Sequence, residues 1–245
     1  MTISEGNFSV NKKASFKKIG TFKKKTVNSV INFAFNMTFG LEGEHRHHRS
    51  GGTNTRGNLE IFVNTFQGKL SEFAMANVLF KHKDFKEPDL SMHGLGIWED
   101  ADFLLGNNAI AVKSTKSYGN LILLESEDWD ESGRYIASVG EPRLYSHIVL
   151  VRIRPDVEEV LRRFRPNSNL DILQRELLSL LIEIDWEYDI PGFITTADLI
   201  AVIKSELKIP KGSLLNRSVK MDAENYYVQA GDLRNINDLL DDISM

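Results

Sequence analysis

Apolar and polar positions alternate along this chain in two different rhythms. From about Thr26 to Phe39, Val27, Val30, Ile31, Ala34 and Thr38 fall on one face at helical spacing, while Asn28, Asn32 and Asn36 fall on another. Gly40 ends that pattern. A second helical pattern runs from about Gln67 to His82, with Leu70, Phe73, Ala74, Ala76 and Phe80 as its expected buried positions. Then the rhythm shortens. Ala101–Leu105 and Ala109–Ser114 are apolar runs around Gly106-Asn107-Asn108, which predicts a β-hairpin. Asn120–Glu125 and His147–Arg154 predict two more strands. The second, HIVLVRIR, is nearly continuous in apolar residues and therefore central to its sheet. Helical spacing returns over Asn169–Ile184 and, after Pro191-Gly192, over about Thr196–Leu207, which opens on the cap sequence Thr195-Thr196-Ala197-Asp198. A short aromatic strand at 225–229 and an acidic tail close the chain.

A helix, a hairpin-led sheet and further helices predict an α/β (mixed α+β) fold, with a central mixed β-sheet flanked by helices. We divide the chain into a basic arm, helix and loop at 1–60, a core at 61–165 and a C-terminal helical and β subdomain at 166–245, within one compact domain. The 245 residues are 42% hydrophobic and 26% charged, which excludes a disordered or fibrous protein. With no cysteine, disulfides, Cys-zinc sites and thiol nucleophiles are excluded. No apolar stretch approaches the roughly 20 residues of a membrane span. The N-terminus has no hydrophobic signal core, so the expected location is cytoplasmic.

The net charge of −4 conceals an asymmetry. Residues 1–60 carry seven Lys and three Arg against four acids, a balance of +6, which leaves −10 for the rest. Such a basic end suggests a polyanion partner. It includes the loop GEHRHHRSGGTNTRGN at 43–58, where Arg46, Arg49 and Arg56 can grip phosphate or guanine, His47 and Ser50 lie between them, and Gly51 and Gly52 permit close backbone approach. The tight spacing of His45, His47 and His48, with no carboxylate pattern, argues against zinc. Lysines from Lys12 to Lys25 would add salt-sensitive affinity. Trp98, Trp129 and Trp186 read as packing anchors. No P-loop or dinucleotide fingerprint is present, so no nucleotide cofactor is expected.

The hairpin is the chemically richest segment. With Asn107-Asn108 as a two-residue loop, Asp102 lies opposite Lys113 and Leu104 opposite Ala111. Asp102, Ala111 and Lys113 then share one face. By itself this could be a cross-strand ion pair that merely stabilises the hairpin. However, WEDADFLLGNNAIAVKSTK at 98–116, preceded by GKLSEF at 68–73, resembles the core of the PD-(D/E)xK nucleases, the restriction-endonuclease-like superfamily. Their pattern is an Asp on one strand, a turn, then acid-x-Lys on the next.

The resemblance covers roughly residues 60–155. It implies Asp102 and Glu72 as metal ligands, Lys113 as the catalytic lysine and Mg²⁺ as the metal, and it makes Lys116 a further DNA contact. It implies a Mg²⁺-dependent, sequence-specific endonuclease of the type II restriction kind, acting on double-stranded DNA as a homodimer. Ala111 stands where the second acid should be. Three readings stay open: a silenced variant, an acid supplied from elsewhere (Glu125, Glu127 or Glu72), or a non-cleaving member. Asp89, in the literal Pro88-Asp89 dipeptide, and Asp100 are alternative first acids. Two other readings compete: a non-catalytic nucleic-acid-binding module, and a repair or RNA nuclease of the same fold.

Overall fold

His147–Arg154 is buried at every residue but its last, as its apolar run predicts, and is the middle strand of a five-stranded sheet. The protein was described from a computed structural model over residues 1–40, 57–91, 101–137 and 141–244. In chain order the strands are β1 (Thr2–Ser4), β2 (Asn7–Ser9), β3 (Gly20–Thr21), β4 (Phe103–Leu105), β5 (Asn108–Lys116), β6 (Leu121–Glu125), β7 (Arg134–Tyr135), β8 (Arg143–Leu144), β9 (His147–Arg154), β10 (Glu187–Thr195), β11 (Lys208–Ile209), β12 (Leu214–Leu215), β13 (Val219–Lys220) and β14 (Asn225–Gln229). The helices are α1 (Lys24–Phe39), α2 (Asn58–Leu79), α3 (Val157–Leu161), α4 (Leu170–Leu181), α5 (Thr196–Lys204) and α6 (Ile236–Ser244).

The main sheet runs β3-β10-β9-β5-β4 and is mixed: β5 and β9 are parallel and their other neighbours antiparallel. Alternation along β5 and β9 divides their side chains between two layers. Ile110, Val149, Val151 and Ile153 pack with α1, α2, α4 and α6 residues such as Val30, Phe66, Leu177 and Leu239. Ala111, Ile148 and Leu150 face the opposite way, onto Ile122 and Leu124 of β6, Tyr226 of β14 and Leu199 of α5. The chain is thus a mixed α/β protein with helices on one face of a central sheet, and a smaller sheet, β11-β14-β6, with α5 on the other. Among the described residues no helix is long and apolar enough to cross a membrane.

Three sequence expectations need correction. Helix α2 begins at Asn58, not near Gln67, because Ile61, Phe62, Val63 and Phe66 are buried on several sides and leave no narrow apolar stripe to read. Phe80, expected inside, follows the last helical residue and is exposed. Pro191-Gly192 does not separate helices. It lies inside β10, where the ladder shifts between Asp189 and Gly192, and an irregularity of this kind is what admits a proline to a paired strand. Two expectations in the C-terminal half hold, and Trp98 lies outside the described residues. Thr195 and Asp198 form a reciprocal capping box on α5, and Trp186 is fully buried with its indole N–H donating to the Leu181 carbonyl at 2.9 Å.

The basic arm is tied to the body of the protein. Lys12, Lys18 and Lys24 pair with Asp232, Glu187 and Glu183 at 2.7 Å each, so part of the charge separation in the sequence is cancelled in space. Beneath the arm, the Arg152 guanidinium donates to the carbonyls of Ala14 and Ser15, and the Lys17 backbone N–H donates to Asp189.

Candidate functional site

The turn residues set the geometry of the β4–β5 hairpin. Phe103 pairs with Ile110, Leu104 with Ala109 and Leu105 with Asn108, so Gly106-Asn107 forms the loop, where the sequence suggested Asn107-Asn108. Gly106 has φ +59°. Two-residue loops with a positive φ at their first position favour glycine there, which decides between the two frames. The expected Asp102–Lys113 cross-strand pairing is therefore replaced by a register two residues shorter. A shift of two preserves every face, so Ala111 and Lys113 keep the orientation the alternation predicted.

In this register Asp102 comes level with Ala111, just beyond the last paired residue of β4. Its carboxylate accepts the Val112 backbone N–H at 2.6 Å, which takes the place of the next ladder bond. Burial raises the Asp102 pKa. The Val112 hydrogen bond and the Lys113 and Lys69 ammonium groups act in the opposite direction without cancelling it. The charge on Asp102 in turn adds to the burial that raises the pKa of Tyr145.

Helix α2 supplies the second carboxylate. Glu72 and Lys69 are one turn apart, pair at 2.7 Å, and are each only 15% exposed. Lys69 also lies over the ring of Phe33, 5.1 Å from its centroid. Lys69, which pairs with Glu72, also acts electrostatically on Asp102, as Lys113 does. The helix meets β5 again where the Gln67 side-chain amide donates to Ser114 Oγ at 3.4 Å.

Lys113 opens onto a cavity of about 580 Å³, whose walls include Glu60, Glu125, Asp128, Trp129 and Tyr135. Of the alternative acids, Glu125 shares this cavity with Lys113, whereas Glu127 sits exposed on the following turn. Asp89 is half-buried and accepts the Ser91 backbone N–H at 2.8 Å, as Asp does in a turn of its own. Lys116, expected as a further DNA contact, is engaged with two acids. It faces the other side of β5 from Lys113 and pairs with Asp156 at 3.1 Å and Glu158 at 2.6 Å. Burial works against its charge, and the bonds to Glu158 and Asp156 outweigh this and raise its pKa. Arg46, His47, Arg49, Ser50, Arg56 and Asp100 lie outside the described residues.

Sequence reasoning missed Glu60, Asp128 and Lys69. The i,i+3 spacing of Lys69 and Glu72 was a usable signal, but nothing local to Glu60 or Asp128 points to a cavity whose walls come from α2, β5, β6 and the distant segment from Leu215 to Asn225. Ala111, 7% exposed, belongs to an apolar cluster with Ile122, Leu124, Ile148 and Leu150.

Among the described residues, no three His, Cys, Asp or Glu side chains gather into a metal-binding group. Asp102 and Glu72 each offer the hard oxygen atoms that Mg²⁺ takes. Mg²⁺ commonly takes one or two carboxylates and completes its shell with water and phosphate oxygens, and a cation, the Lys69 ammonium, already sits against Glu72. No protein-family model, curated protein or solved structure matches the chain.

Proposed function

We propose that this protein is a Mg²⁺-dependent nuclease of the PD-(D/E)xK kind that hydrolyses phosphodiester bonds in double-stranded DNA. The observation that supports this reading is the hairpin that sets Asp102, just before β4, against the Val112 N–H and under the charge of Lys113, in the chain order helical acid Glu72, Asp102, turn, strand lysine. Asp102 and Glu72 would hold the metal. Mg²⁺ at such a site lowers the pKa of a bound water and neutralises the phosphate oxygens.

The remaining work falls to the protein's own groups. Lys113, facing the cavity, would donate to a phosphate oxygen or orient the attacking water. The Val112 N–H bond keeps the Asp102 carboxylate aimed while burial limits its exchange with solvent. Of the three readings of Ala111, the apolar packing around it favours an acid supplied from elsewhere, and Glu125, in the same cavity as Lys113, is the carboxylate best placed to supply it. Cutting both strands would call for two copies related by a two-fold axis.

Incubation with long DNA of mixed sequence and Mg²⁺ tests the proposal. The expected result is discrete fragments from the unmodified protein, none from Asp102→Asn or Lys113→Met, and DNA affinity in those variants within a few-fold of the original. Binding without cleavage by the unmodified protein would favour the non-catalytic binding module.

A further inference from the structure

The arm around Ala14 and Ser15 lies on the same sheet face that carries Lys113. In the parallel β5–β9 ladder Lys113 is level with Leu150 and Thr115 with Arg152, and alternation puts these four side chains on one face with Ala111 and Ile148. Arg152 reaches from that face to the carbonyls of Ala14 and Ser15, and its partner Asp189 accepts the Lys17 backbone N–H. The Ala14 N–H donates to Asn120 Oδ1 at 2.8 Å and the Ile19 N–H to the Tyr188 carbonyl at 2.9 Å. The backbone of the arm is thus engaged with the body, and its side chains divide in alternation: Ala14 and Phe16 are half-buried, whereas Lys13, Ser15 and Lys17 are exposed. We propose that Lys13 and Lys17, with Arg154, form a fixed rail for the phosphates of double-stranded DNA, continuing the face that holds Lys113. The inference rests on the DNA reading above and adds where the duplex lies.

Charge points to the partner. Lys12 is matched by Asp232 and Arg152 by Asp189, so neither adds to the field. Among the described residues no acid pairs with Lys13 or Lys17, and Lys18 and Arg154 share one carboxylate, Glu187. Lys13, Lys17, Lys18 and Arg154 therefore face a single acid, a surplus of three positive charges along one short ridge. The Phe16 ring, 4.7 Å from the Arg154 guanidinium, steadies that exposed cation. In an extended backbone Lys13 and Lys17 stand about 13 Å apart, so each meets a phosphate of its own. A row of this kind suits a linear polyanion better than a single small anion, which would need the cations to converge. A membrane surface would call for an apolar face to insert, and the arm offers Ile19 alone as an exposed large apolar side chain. Because its backbone is already anchored, the arm loses little conformational freedom when DNA binds.

The test is duplex binding without Mg²⁺ across a range of salt concentrations. The variant is Lys13→Gln with Lys17→Gln. The control is Lys83→Gln with Lys86→Gln, which removes the same charge from two exposed lysines beyond the end of α2, in the helical layer. The arm variant should bind about tenfold more weakly near 0.1 M salt, and its plot of log affinity against log salt should be shallower by about 2. The loss should be the same for duplexes of different sequence, since phosphate contacts carry no base information. The control should stay within about twofold, and both variants should keep the melting temperature of the unmodified protein. An arm variant whose slope matches the control overturns the proposal, as does an unmodified protein that binds no duplex. Arm-dependent binding to vesicles containing phosphatidylserine, stronger than to duplex, overturns it in favour of a membrane surface. Arm-dependent duplex binding with no Mg²⁺-dependent cleavage keeps the rail and sinks the nuclease reading. Cleavage with a salt slope indifferent to the arm does the reverse.

Discussion

Arg152 and Asp189 form an ion pair in the interior, 1% and 2% exposed, with Arg152 Nε donating to Asp189 Oδ1 at 2.8 Å and a second guanidinium nitrogen donating to Oδ2. The pair joins β9 to β10. Its remaining hydrogen-bonding capacity goes to the carbonyls of Ala14 and Ser15 and to the Lys17 N–H, so both charges are well satisfied. It acts as the nail that holds the basic arm on the sheet.

Because neither charge can reach water, losing one partner strands the other. Arg152→Met should cost about 3–5 kcal/mol in chemical denaturation and should free residues 12–19 to proteolysis. A double variant, Arg152→Met with Asp189→Leu, should recover part of that loss. Additive single losses would show that the pair is not coupled.

The start of α5 gives a pH-dependent prediction. Asp198 is held down to about 2 by Arg234 first, against some burial, and by the Thr195 N–H and hydroxyl. Its folded pKa lies below the unfolded value of roughly 3.9. The stabilisation is therefore complete above about pH 5 and is lost as pH falls through 4 toward 2. Asp198→Ala should cost about 1 kcal/mol at neutral pH and flatten the acid limb of the stability profile. An unchanged acid limb would show that another carboxylate governs it.

Gly106 sets the hairpin frame that brings Asp102 to the Val112 N–H. At φ +59°, Gly106→Ala should cost about 1–2 kcal/mol and reduce the proposed DNA cleavage more than Asn107→Ala does. Equal effects from the two substitutions would count against glycine as the determinant of register.

Ala111 offers the sharpest test of how the acid set is completed. Ala111→Asp would place a carboxylate among Ile122, Leu124, Ile148 and Leu150. We expect a lower melting temperature, by several degrees, and no gain in the proposed cleavage, which Glu125→Gln should abolish. A stable, more active Ala111→Asp protein would instead identify position 111 as the emptied acid site.

The sharing of one face by Ala111 and Lys113 was legible in the sequence, because side-chain alternation in a strand is a local rule that survives any shift of two residues. So was the central place of His147–Arg154, since only a strand covered on both faces can be apolar nearly throughout, and so was the capping box at Thr195. These depend on neighbours a few positions apart. The tertiary structure decided what depends on distant parts of the chain. Lys12 finds Asp232 across 220 residues of sequence, Lys116 is taken by Asp156 and Glu158, and Glu125 comes round on β6 to share a cavity with Lys113. Charge along a sequence records how many groups there are of each sign. Which of them remain available to a ligand is decided only when folding has matched some with partners: here Lys116 is set against Asp156 and Glu158 and Lys69 against Glu72, while Lys113 faces the cavity.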